Sequence, residues 1–306
     1  MRRVLVTGAT GFLGRPAAAQ LRARGWDVVG VSASGADGTI RLDLQDEAAL
    51  RALLEQIRPS HLLHAAWRPV HGNVMHAADN VSWLRASLFL VQAFQESGGR
   101  RAAVVGSSAE YDWTGGVCRN GVTPMKPATP YGACKHALHL ALEALARATG
   151  LGFVWPRVFF VYGPGEHDSR LVASVVKALV RGVPAECTEG RQVRDYLYVD
   201  DVAAGLVASL ESSHDGAIDL AAGSGIAVRD LVSLVAQEFG RVDLLRLGAR
   251  RTPVHDVPLV LGDGIEAATL LGWKPRISLE AGIADTVAWG RCVFPPSGSA
   301  KLSNGA

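Results

Sequence analysis

Thr7-Gly8-Ala9-Thr10-Gly11-Phe12-Leu13-Gly14 is the stretch on which the reading of this chain turns. It follows the apolar run Arg3-Val4-Leu5-Val6 and opens a segment, 13–24, whose apolar residues recur at helical spacing. Glycines at 8, 11 and 14 let a strand-to-helix turn bring its backbone against a pyrophosphate at a helix N-terminus. Three glycines in a tight turn are weak evidence on their own. Their place after the first strand of a repeating pattern is what points to a dinucleotide, held by Gly8, Thr10, Gly11, Phe12, Leu13 and Gly14.

That pattern extends outward from the loop. Strands are expected over 3–7, 28–32, 61–65, 102–106 and 152–158, and helices over 13–24, 47–57, 81–96 and 131–149. Repeated βαβ units with nearly continuous apolar strands predict an α/β fold, a parallel sheet covered by helices on both faces. Asp43 and Leu44 after the second strand, and Ala65 and Ala66 after the third, then line the adenosine and the pyrophosphate. Beyond Gly163 the rhythm loosens, with amphipathic helices over 200–210 and 228–239 and a strand over 217–220. We therefore expect a dinucleotide-binding domain over 1–160 with a returning segment near 196–222. A smaller C-terminal substrate-binding lobe takes 161–195 and 223–294, and 295–306 form a loose tail.

Composition narrows the function classes. The 306 residues are 48% hydrophobic and 20% charged, with a formal net charge of +2, so neither disorder nor a nucleic-acid surface is indicated. Cys118, Cys134, Cys187 and Cys292 form no C-x-x-C pair, which argues against a metal site or a disulfide framework and for a reducing, cytoplasmic setting. No membrane partner is expected, since no apolar run reaches spanning length. Helices around Leu84, Leu88 and Val91 and around Leu138, Leu142 and Leu145 are apolar on more than one side. Sheet packing alone accounts for this; the sharper reading is a homodimer joined through a helix bundle.

Chemistry enters with Tyr131-Gly132-Ala133-Cys134-Lys135. The phenol and the ammonium lie four residues apart, on one face of the expected helix. A nearby ammonium favours phenolate, which makes the pair a general acid or base, although the same spacing is common on solvated helices. Upstream, Ser107-Ser108-Ala109-Glu110-Tyr111 ends a strand at the cleft edge, and Ser108 is the hydroxyl expected to hold a substrate oxygen against the phenol. At the end of the second strand, where an acid would grip the ribose of NAD, the sequence reads Val31-Ser32-Ala33-Ser34. Without that carboxylate Ser32 favours the 2′-phosphate of NADP, with Arg15 and Arg41 as nearby cations; an NAD site that tolerates serine is the other reading.

Taken together these residues resemble the extended short-chain dehydrogenase/reductase family, and within it the NAD-dependent epimerase/dehydratase group acting on nucleotide sugars. Besides the loop, HAA at 64–66, SSAEY and YGACK, the resemblance rests on Tyr162-Gly163-Pro164, on the segment from Gly190 to Asp201 and on Leu271-Gly272-Trp273-Lys274-Pro275. It implies a Rossmann-type doubly wound sheet and a catalytic set of Ser108, Tyr131 and Lys135, with Tyr131 and Lys135 also cofactor-binding and Lys135 on the nicotinamide ribose. It also implies a nucleotide-diphosphate sugar as partner, with Arg194 on the substrate pyrophosphate and Arg251 as a second contact. For Arg194 an ion pair with Asp195 or Asp200 is the competing reading. Glu110 keeps a potential base for an elimination, while Ala109 supplies no acid. The reaction first expected is therefore reduction of a 4-keto-6-deoxy sugar nucleotide by NADPH. Epimerisation or 4,6-dehydration with retained NAD is the alternative, and a non-catalytic nicotinamide sensor the remote one.

Overall fold

A computed structural model describes residues 2–67, 74–253 and 256–294; the tail expected over 295–306 lies outside them. In chain order the first half runs β1 (Arg3–Thr7), α1 (Gly14–Ala23), β2 (Asp27–Ser32), β3 (Ile40–Arg41), α2 (Glu47–Ile57), β4 (His61–His64), α3 (Asn80–Glu96), β5 (Arg101–Val104), β6 (Gly106–Ser107), β7 (Val117–Cys118), α4 (Pro130–Thr149) and β8 (Gly152–Val158). The second half runs β9 (Phe160–Tyr162), α5 (Leu171–Val180), β10 (Ala185–Glu186), β11 (Val193–Arg194), β12 (Tyr196–Tyr198), α6 (Val199–Glu211), β13 (Gly216–Leu220), β14 (Ile226–Ala227), α7 (Val228–Phe239), β15 (Leu245–Arg246), β16 (Leu259–Gly262), α8 (Ile265–Leu271) and α9 (Leu279–Val293).

The main sheet has the order β13-β8-β5-β4-β1-β2-β3, with β6 continuing beside β8, and every pairing in it is parallel. Strand side chains alternate between its two faces. Val4 and Val6 join a core with Ala17, Leu21 and Leu206, whereas Leu5 between them joins one with Leu50, Leu90 and Leu138. Helices thus cover both faces, as the apolar strands predict. On one of them α1 packs against α6, and on the other α3 packs against α4. Val91, Leu138 and Leu142 are buried in that second core, so sheet packing accounts for part of the apolar width of these helices. Leu84, Leu88 and Leu145 stay half-buried.

After β9 the chain leaves the sheet and returns through α6 and β13, which adds the last parallel strand beside β8. The remaining elements form smaller sheets, β14-β11-β16-β7, β10-β15 and β12-β9, with α5, α7 and α9 packed together.

One interruption positions the site. The strand expected over 102–106 breaks between β5 and β6, at Val105. The registers Ala103↔Val154 and Gly106↔Arg157 place Pro156 opposite that point, and a proline brings no N–H to a ladder. Val105 N–H donates to the His64 carbonyl at 3.0 Å, so its own carbonyl faces the same way, past the end of β4, where a side chain can take it.

Candidate active site

At the carboxyl ends of β1, β4 and β6, beside the point where the strand order reverses, three features converge. The first is the glycine loop. Gly8 has φ +69°, and a Cβ there would stand 2.9 Å from the Ala66 nitrogen. A Cβ on Gly14 would stand 2.1 Å from the Gly8 carbonyl oxygen, and one on Gly11 3.0 Å from it. The turn is closed by Gly11 N–H on the Gly8 carbonyl at 2.8 Å. Leu13 precedes α1 with no side-chain cap, and no acid lies in the first turn, so the positive end of the helix dipole faces the glycine loop unneutralised. A pyrophosphate fits that cradle. Gly14→Ala should raise the Kd for NAD(H) by at least about tenfold, since displacing the Gly8 carbonyl by even ~1.4 kcal/mol of strain has that effect. A calorimetric titration measures it; unchanged affinity would show that the loop does not form the dinucleotide site.

Around the expected adenosine end, Ser32 has its hydroxyl occupied. It contacts Thr39 Oγ1 at 2.7 Å and Ser34 Oγ at 3.4 Å, and accepts from Gly35 N–H at 3.0 Å. Arg15 pairs with Asp37 at 3.2 Å on the surface, Arg41 is exposed, Asp43 caps the following turn through Gln45 N–H, and Leu44 is buried. The expected case for a 2′-phosphate rested on the missing carboxylate at the end of the second strand, with Ser32, Arg15 and Arg41 as possible donors. Loop closure within 32–39 engages the Ser32 hydroxyl, and no carboxylate stands at 32–34.

The second feature is the proton pair. Thr129 caps α4 through Gly132 N–H and Pro130 starts it, which sets Tyr131 in the first turn and Lys135 one turn on. Lys135 Nζ donates to the Val105 carbonyl at 2.8 Å, the acceptor left past the end of β4. Burial pushes its ammonium down to about 7, against an opposing pull from Glu110. Burial also raises the Tyr131 phenol, while a hydrogen-bonding interaction with Ser107 and the Arg170 guanidinium draw it back down. His64, buried to a pKa of about 3, stays neutral between Thr7 Oγ1 (2.6 Å) and Ser87 Oγ (2.8 Å), tying β1, β4 and α3 together behind the pair.

The third feature corrects two expectations. The hydroxyl at Tyr131 belongs to Ser107, not Ser108. Ser107 is extended at the end of β6 and half-exposed; Ser108 is buried at the start of a 3-10 turn, Ser108–Glu110, and its carbonyl accepts from Trp113 Nε1 at 2.7 Å. A chain that leaves the extended conformation after Ser107 rotates the next side chain out of the cleft. The same turn carries Glu110 into the core, where it is fully buried. Its carboxylate accepts from Ser107 N–H (2.8 Å), Trp155 Nε1 (2.9 Å) and Arg157 Nε (3.0 Å). With its oxygens so engaged, Glu110 does not face a substrate.

Arg194 is likewise engaged, with neither acid weighed for it. It donates to Asp256 and to the Val257 carbonyl (2.8 Å), and lies 5.5 Å over the Phe160 ring. Asp195 accepts from the N–H groups of Ala222, Gly223 and Gly262, and Asp200 is not its partner. Arg251 is exposed. Two residues the sequence reading passed over also stand here. Trp67, directly after the HAA stretch, lies against Lys135 and Tyr131, and Asn80 at the start of α3 holds it. For Trp67 the available signal was its position directly after the HAA stretch, and Ser107 lies inside the quoted SSAEY stretch.

Residues 4–221 match the family model described as the NAD dependent epimerase/dehydratase family. The UDP-glucose 4-epimerase of Mycolicibacterium smegmatis is 28% identical over 94% of this chain and 98% of its own. The UDP-glucuronate 4-epimerase of Thermodesulfobacterium geofontis is 25% identical, over 94% and 95% respectively. Among solved structures, MoeE5 in complex with UDP-glucuronic acid and NAD is 30% identical with a TM-score of 0.83, covering 95% of this chain and 99% of that one. Among the described residues no helix is long and apolar enough to cross a membrane.

Proposed function

The chain belongs to the NAD dependent epimerase/dehydratase family, and from that membership and the site's geometry we propose that it epimerises a nucleoside-diphosphate sugar at C4 with retained NAD. The observation that carries this reading is the Glu110–Arg157 pair, both members under 5% exposed. An elimination needs a base on C5, and the carboxylate at the expected position is held in the core instead. For the other expectation, reduction by NADPH, the Ser32 hydroxyl is already engaged within its own loop. Both curated relatives described above are 4-epimerases.

Held by the loop of Gly8, Gly11 and Gly14, NAD would supply reversible hydride chemistry at C4 of the sugar. Tyr131 removes the proton of the C4 hydroxyl and later restores it, with Ser107 holding the same oxygen. Lys135, anchored on Val105, supplies the positive charge that favours phenolate. Arg251 and Arg194 are the guanidinium candidates for the substrate diphosphate, Arg194 only by exchanging Asp256 for phosphate. Remote binding of that diphosphate would hold the sugar while its ring turns over. The reading includes a homodimer whose contact covers the exposed Val81 and Leu140 on α3 and α4.

The test uses purified protein, with its bound dinucleotide identified by mass spectrometry, incubated with UDP-glucose or UDP-glucuronate. Appearance of the C4 epimer without net change in nicotinamide absorbance is expected. Stoichiometric NADPH oxidation by a 4-keto-6-deoxy sugar nucleotide, with no epimer formed from any sugar, would replace this reading with the reductase. Loss of water from the sugar would replace it with the dehydratase.

A further inference from the structure

Trp67 stands one residue beyond the Ala65–Ala66 backbone that packs against Gly8, and so between the floor of the dinucleotide site and the first turn of α4. The Lys135 ammonium lies 3.9 Å from the centre of its ring. The Tyr131 ring meets the same indole edge to face, centroids 6.1 Å apart. The indole is itself fixed. Its Nε1 donates to Asn80 Oδ1 at 2.8 Å, and Asn80, with no exposed surface, donates from Nδ2 to the carbonyls of Val74 (2.7 Å) and Ala77 (2.8 Å). Trp83 lies 6.5 Å away, from the following turn of α3.

Lys135 is 3% exposed, so every group that faces its charge weighs on whether it stays protonated. Lys135 has three donors, and the described structure gives it one acceptor, the Val105 carbonyl. The ionisable groups around it are His64 from β4, kept neutral; Glu110 from the 3-10 turn, already neutralised by Arg157; and Tyr131 from its own helix. None forms an ion pair with it. What faces the charge at contact distance is the negative face of an indole, the aromatic ring best suited to hold a cation, in a place where water does not screen it.

We propose that Trp67 is a positioning residue of the proton-transfer site: its indole face holds the Lys135 ammonium in place and in its charged form, and Asn80 sets the attitude of the indole. This rests on the reading of Tyr131 and Lys135 as the proton pair. Removing the face lets Lys135 lose its proton at lower pH. Less ammonium at a given pH makes Tyr131 harder to ionise, so the limb of the turnover profile that rises with phenolate moves to higher pH.

Lysine occurs only at 126, 135, 177, 274 and 301, so the Cε signals of [13Cε]-lysine protein are few enough to titrate individually by NMR, with Lys135→Met supplying the assignment. The measurement is made on the protein with its native dinucleotide, for Trp67, Trp67→Leu, and a series in which fluorinated tryptophans are placed at 67 by codon suppression. Fluorination weakens the ring face while keeping its shape, so it separates the cation contact from packing even if Trp67→Leu fails to fold. The Lys135 midpoint should fall stepwise with fluorine number, and by about one pH unit, a tenfold loss of proton affinity, in Trp67→Leu. A midpoint independent of fluorine number overturns the proposal, whatever happens to activity. Because the titration needs no sugar, it stands apart from the C4-epimerase assignment, which falls if no tested sugar nucleotide is turned over.

Discussion

Tyr131→Phe should lower turnover of the sugar nucleotide by about 10²–10⁴-fold, the usual worth of a positioned acid or base, while the Kd for NAD(H) stays within about twofold of the unmodified protein. The substitution removes one oxygen. The ring keeps its edge-to-face contact with Trp67, and Lys135 keeps its bond to the Val105 carbonyl, since neither depends on the hydroxyl. The glycine loop lies on β1 and α1, away from α4. Turnover and dinucleotide affinity should therefore separate cleanly. Steady-state rates and a fluorescence titration of NADH measure the two quantities. Undiminished turnover would remove Tyr131 from the chemistry, and a matching loss of affinity would make its role structural.

Glu110→Gln should destabilise the protein by about 3–5 kcal/mol, because it leaves the Arg157 charge uncompensated in the core, and lower Tm by roughly 10 °C for a chain of this size. The pair is surrounded by apolar and polar groups that do not replace a carboxylate: Trp155 donates to Glu110, and the Arg157 guanidinium also reaches Asn120 Oδ1 (2.9 Å) and Tyr111 Oη (3.2 Å). Asp219 is another carboxyl whose charge acts on Arg157. Burial pushes it up to about 7, and it accepts from the Tyr111 hydroxyl at 2.8 Å, which makes it a poor substitute at neutral pH. Replacing both members, Glu110→Leu with Arg157→Met, should recover much of the loss, since burying neither charge avoids both desolvation costs. Calorimetric melts of the two single variants and the double variant decide this. An unchanged Tm in Glu110→Gln together with abolished turnover would return Glu110 to the role of a base.

These outcomes bear on how much the letters of the chain contain. The βαβ rhythm was legible because a parallel strand is apolar on both faces and its crossover helix repeats every 3.6 residues. Both are local properties, and α2, β8 and α7 fall on the expected bounds, 47–57, 152–158 and 228–239. The dinucleotide loop was legible for a related reason. Gly8 and Gly14 stand where a Cβ would strike the neighbouring backbone, so the sequence itself records the close approach. Spacing also set Tyr131 and Lys135 on one face of α4, because an i, i+4 relation is a property of any helix.

The rest depended on partners far along the chain. Whether Ser107 or Ser108 meets Tyr131 turns on where the extended backbone gives way to a 3-10 turn, and that turn is held by Glu110 reaching back to Ser107 N–H and across to Trp155 and Arg157. Ser32 could not be read as free or occupied without Thr39 folded over it, nor Arg194 without Asp256, 62 residues on. The Lys135 site joins a carbonyl left past the end of β4, an indole from just beyond β4 and an asparagine from α3. Sequence by itself determined the elements and the glycine cradle, since backbone hydrogen bonding and burial period act within a few residues. Only the tertiary structure decided which way each polar side chain at the strand ends points, because a buried polar group goes where its hydrogen-bond partner is, and those partners arrive from other elements.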